Sequence, residues 1–96
     1  MNRKDAISTL VRVKPELAGR FGVTRLALFG SMARDVANRK SDIDILVAFD
    51  GPATSEKYFG VQFLLEDQFG CSVDLVTEKA LRSELRSFVE QDAIYV

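Results

Sequence analysis

The sequence predicts an α/β chain of the α+β kind, a small mixed β-sheet flanked by helices. Three observations predict it. Apolar residues recur at helical spacing in the first twenty positions and twice more downstream. Short apolar, strand-like runs lie between those stretches, at 25–29, 42–49 and 71–76, the second of them β-branched. Gly or Pro marks most of the changes from one pattern to the next. The order reads α-β-α-β-α-β-α.

Each element has its own justification. Ala6, Leu10, Val13 and Leu17, with Ile7 and Val11, give the first helix its apolar positions. Pro15 is expected to kink or restart it, from an N1-like position, and Gly22 to stop it. Arg25 to Phe29 reads as a strand running into Gly30-Ser31. A short helix from Ser31 to Ala37 follows, with Ser31 near its N-cap, and then a polar loop, Asn38 to Ser41. Asp42 to Phe49 is the second strand, closed by Asp50-Gly51-Pro52. Ser55 can cap a helix through Phe69, with Phe59, Phe63 and Leu64 on its core face and Gly70 as the stop. Cys71 to Val76 is the third strand, and Leu81, Leu85, Phe88 and Val89 mark a final helix. Ala93 to Val96 is a short apolar tail of unassigned form.

Composition bounds the function. Ninety-six residues suit one domain, 1–96, with one core, and 47% apolar with 28% charged content is ordinary for a soluble globular chain. The net charge of −1, from 13 basic and 14 acidic residues, builds no broad electropositive surface, so direct nucleic-acid binding is not expected. The absence of His excludes His triads, His bases and His-ligated zinc. The single Cys71 opens an apolar run and is expected to be a buried structural thiol. Neither a signal peptide nor a membrane span is legible, so the expected compartment is the cytoplasm.

The chemistry concentrates in Ser41-Asp42-Ile43-Asp44-Ile45-Leu46-Val47. On a strand, residues i and i+2 share a face, so the Asp42 and Asp44 carboxylates project side by side. At a Cα separation of roughly 7 Å they repel by about 2 kcal/mol at an effective dielectric near 20. A divalent cation removes that repulsion, and ligands that are all oxygen suit Mg²⁺. Asp74 lies on another strand, on the opposite side from Val73 and Leu75. Gly30-Ser31, between a strand and a helix, can let a phosphate approach the backbone.

Alone, each feature is most often bland: a turn, a solvated Asp-x-Asp, a charged edge strand. Together they are what metal-assisted nucleotidyl transfer requires, with two cations clamping the attacking and leaving oxygens. Asp42, Asp44 and Asp74 are then the catalytic and metal-holding residues, and Gly30, Ser31 and Arg34 the nucleotide-binding ones. Arg39 and Lys40 are weaker candidates that read as surface charge.

These residues resemble the minimal nucleotidyltransferase (MNT) family: an apolar strand, Gly-Ser, a ten-residue spacer (Met32 to Ser41), then Asp-x-Asp. Leu28 to Arg34, Ser41 to Val47, Val73 to Thr77 and the ending Asp92-Ala93-Ile94-Tyr95-Val96 all fit, across nearly the whole chain. One departure is Asp35, where many members carry Gly. The resemblance implies a nucleotidyltransferase fold, two Mg²⁺ ions and ATP as substrate. It also implies an antitoxin role, with AMP transferred to a tyrosine hydroxyl of a HEPN-domain RNase toxin in a hetero-oligomer. These 96 residues leave no room for a second domain to present an acceptor, which favours an acceptor carried by a partner. Two alternatives stand beside this reading: an antitoxin that acts by binding alone, and a small-molecule nucleotidyltransferase.

Overall fold

The structure, a computed structural model, describes residues 2–34, 42–81 and 83–96, apart from the side chains at 83, 85 and 88. The expected elements at 35–37 and 38–41 lie outside the described residues. So do Asp35, Arg39 and Lys40.

Helix α1 spans Arg3–Phe21. The side chain of Asn2 caps it by accepting from the Asp5 N–H, and Gly22, in the left-handed region at φ 72°, ends it. The helix passes through Pro15 without restarting. Pro15 leaves the Val11 carbonyl without its helical donor, but both residues face water, which can supply one.

Strand β1 (Val23–Phe29) leads into a single helical turn, α2 (Gly30–Ala33). Its N-cap is Phe29 rather than Ser31, so Ser31 sits inside the turn and Arg34 caps its end. Strand β2 (Ile43–Phe49) precedes α3 (Ser55–Phe69), which is capped by Thr54 one residue before the expected position. Strand β3 (Val73–Thr77) is followed by a 3-10 turn (Glu78–Ala80), helix α4 (Ser83–Asp92) and strand β4 (Ile94–Tyr95). The apolar tail is thus a strand, and the sheet has four strands in the order β3-β2-β1-β4. β1 runs antiparallel to β2 and β4, while β2 and β3 are parallel, joined through α3. The mixed sheet flanked by helices is as the sequence predicts.

One face of this sheet carries the main core. Ala6, Leu10, Val13 and Leu17 of α1 and Val61, Leu65 and Phe69 of α3 close over Leu26, Leu28, Ile43, Ile45, Val47, Val73 and Leu75. Gly60 brings the two helices together: a Cβ there would stand 2.7 Å from Cζ of Phe21.

Two expectations fail here. Phe59 and Phe63 do not face the core; they are 49% and 65% exposed and stack on each other. Residues 58–65 of α3 are apolar almost all round, so spacing alone could not select the Val61-Leu65-Phe69 face. Leu64 is half-buried against the core. Cys71 is exposed, because β3 begins two residues beyond it and the connection from Gly70 runs over the surface.

Candidate active site

The site lies on the other face of the sheet. The parallel register sets Asp44 opposite Asp74, Ile43 opposite Val73 and Ile45 opposite Leu75. Strand alternation therefore sends four apolar side chains into the core and both carboxylates to the opposite side. The Asp44 and Asp74 carboxylates lie close enough to act on each other directly, and one can donate a hydrogen bond to the other when it carries a proton. Asp42 is exposed, just ahead of β2 and two residues before Asp44. Strand geometry and the parallel register thus bring Asp44 and Asp74 together, with Asp42 contributing charge from the strand's entrance.

Asp74 is held from behind by α3. Tyr58, Gln62 and Glu66 recur every four residues along one side of that helix. Tyr58 Oη donates to the Leu75 carbonyl at 2.6 Å, Gln62 Nε2 donates to the Val73 carbonyl at 3.3 Å, and the Val73 N–H donates to Glu66 Oε2 at 3.1 Å. These bonds engage the Val73 N–H and the Val73 and Leu75 carbonyls on the outer edge of β3, on both sides of Asp74, where no further strand pairs among the described residues. No sequence reading singled out these three residues, although their spacing was visible.

Gly30 completes the second wall. Phe29 pairs with Asp44 across the antiparallel ladder, and the next residue, Gly30, turns at φ 74°. A Cβ on Gly30 would collide with the Asp44 carboxylate, 2.9 Å from its Cγ. Glycine is needed there for conformation and for space alike. Ser31 is half-buried in the one-turn α2. A cavity of about 250 Å³ opens beside this turn, lined by Phe29, Gly30, Arg34, Val89, Gln91 and Asp92. Arg34 is on its wall, with Nη1 donating to Oδ2 of Asp92 at 2.9 Å. Asp92 lies 58 residues away in sequence, so no local spacing could have paired the two.

The carboxylates strain one another electrostatically. The Asp44 pKa is raised from 3.8 to about 6, first by burial and then by the charge of Asp74 and its hydrogen bond. Asp42 raises it further, and the nearby Arg34 opposes the shift. As the side chains stand, no group of three or more His, Cys, Asp or Glu among the described residues is gathered closely enough to hold a metal ion. The donor set nevertheless fits a hard cation: the groups are all oxygen, and Asp44 and Asp74 share a region where one of them is held towards its protonated form.

An apolar strand, a glycine bend and two facing carboxylates on a mixed sheet define a nucleotidyltransferase fold. Comparison with known proteins agrees. Residues 10–96 match the nucleotidyltransferase domain family, and the chain belongs to that family. It is a nucleotidyltransferase and is similar to the minimal members. It is 38% identical over 89 residues to the protein adenylyltransferase MntA of Thermococcus cleftensis, covering 93% of this chain and 90% of that one. A solved chain provisionally named a minimal nucleotidyltransferase superposes with a TM-score of 0.84 at 35% identity, over 98% of this chain and 95% of that one. The fold also matches a chain from the complex of a tri-AMPylated Shewanella oneidensis HEPN toxin with its MNT antitoxin, at a TM-score of 0.69 and 17% identity, over 97% of this chain and 70% of that one.

Proposed function

We propose that this chain is an antitoxin that transfers AMP from ATP to a tyrosine hydroxyl of a HEPN-domain RNase toxin, silencing it. The observation that carries the reading is the Asp44–Asp74 pair packed against Gly30, in a chain 38% identical to a protein adenylyltransferase. In the transfer, the hydroxyl oxygen bonds to the α-phosphorus, the bond to the bridging oxygen breaks and pyrophosphate departs with that oxygen. The hydroxyl proton passes to a carboxylate or to water.

Each residue has a share in this chemistry. Gly30 and Ser31 bring backbone close to the phosphates, and Arg34 offsets their charge. Asp42, Asp44 and Asp74 would hold two Mg²⁺ ions, with Asp74 on the acceptor side, placed to help take the hydroxyl proton. When bound, the ions supply charge neutralisation and lower the pKa of the attacking hydroxyl. Asp44 accepts a cation only after losing its proton, so Mg²⁺ affinity should rise as pH climbs through about 6. The acceptor arrives on the toxin, in a hetero-oligomer, within the reducing cytoplasm.

Co-expression of the chain with its partner tests the reading. Mass spectrometry should find AMP on a partner tyrosine with the native chain, and none with Asp42→Ala/Asp44→Ala. Equal modification by that variant would remove the catalytic assignment. Full neutralisation without any modification would favour an antitoxin that acts by binding alone.

A further inference from the structure

The contact between Arg34 and Asp92 bridges the two sides of the cavity beside Gly30. We propose that Asp92 is a positioning residue: it holds the Arg34 guanidinium at the cavity wall, where its remaining donors meet the phosphates of a bound nucleotide. The inference rests on reading this cavity as the nucleotide site.

Arg34 needs such a holder. It caps a helix of a single turn, tied by its own N–H to the Gly30 carbonyl at 3.2 Å, and its side chain is about half exposed. A long, solvated arginine samples many rotamers, and each one lost on binding weakens the ligand's hold. Asp92, by contrast, stands on anchored backbone. It is the last residue of α4, and the Ala93 N–H after it donates to the Val89 carbonyl at 3.0 Å. Ile94 and Tyr95 then pair with Leu28 and Ala27, and the Val96 N–H donates to the Leu26 carbonyl at 2.9 Å. The support for Arg34 is therefore built onto β1, the strand that delivers Gly30.

The geometry leaves Arg34 able to do both tasks. Asp92 engages Nη1, and a guanidinium carries five N–H donors in a planar fork. The positive charge also reaches Asp44, whose upward pKa shift it opposes. Arg34 thus stands on the wall of the cavity that Gly30 and Asp92 also line, close enough for its charge to act on both Asp44 and Asp92.

Calorimetric titration with the non-hydrolysable ATP analogue AMP-PNP, in the presence of Mg²⁺, tests the proposal. Asp92→Asn should weaken binding roughly two- to fivefold, the range of an exposed ion pair. Arg34→Ala should weaken it about tenfold. The double variant should bind no worse than Arg34→Ala alone, and Asp92→Glu should restore most of the native affinity. A purely structural role for Asp92 would instead weaken binding in the Arg34→Ala background as well, and that result overturns the proposal. Unchanged or tighter binding by Asp92→Asn overturns it too, while leaving the nucleotide site intact. Failure of the native chain to bind AMP-PNP at all would reject the nucleotide site and this inference together.

Discussion

The two faces of the β2–β3 pair make different uses of the same strands. Ile43, Ile45, Val73 and Leu75 are almost wholly buried under α1 and α3, whereas Asp44 and Asp74, interleaved with them, meet on the opposite side. The first face stabilises the fold through apolar burial. The second places like charges together, an arrangement that stability does not favour and that a nucleotidyltransferase uses. Substitutions one position apart should therefore have opposite signatures.

The largest contrast should come from the carboxylates. Asp44→Asn/Asp74→Asn is expected to lower AMP transfer by well over the roughly 100-fold that loss of an outer partner of a metal ligand costs. Its thermal midpoint should not fall, because the change removes a repulsion. Ile45→Ala, one residue from Asp44 and fully buried, should lower unfolding stability by about 2–5 kcal/mol in a urea titration. Gly30→Ala stands between the two classes. It forces a side chain into the left-handed region and against Asp44, so it should cost about 1–3 kcal/mol and also weaken AMP-PNP binding. The smallest effect belongs to Phe63→Ser on the exposed side of α3, within about 0.5 kcal/mol by the same titration.

This contrast was legible in the sequence wherever a short period set it. The two-residue alternation of Asp42-Ile43-Asp44-Ile45 and Val73-Asp74-Leu75 fixes which side chains share a face, and both carboxylates stand where that alternation puts them. Legibility failed where the pattern was degenerate or the contact distant. Residues 58–65 offer apolar side chains in nearly every direction, so the exposed Phe59 and Phe63 were expected in the core. Cys71 opens the apolar run in the sequence, yet the strand itself begins at Val73. The Arg34–Asp92 pair and the formation of β4 depend on the chain's end returning to β1, which no local spacing encodes.

Among the described residues, no helix is long and apolar enough to cross a membrane.

A raised carboxyl pKa has a defined consequence for the fold. A carboxyl that keeps its proton to higher pH when folded than when unfolded makes the fold less stable as pH rises from 3.8 towards 6, and Asp44→Asn should flatten that slope. Carboxyl-detected NMR titration of Asp44, with and without Mg²⁺, tests the site most directly. The expected midpoint is about 6 in the metal-free protein, moving down when Mg²⁺ is added. An ordinary aspartate midpoint that Mg²⁺ leaves unmoved would contradict a carboxylate pair built for a cation.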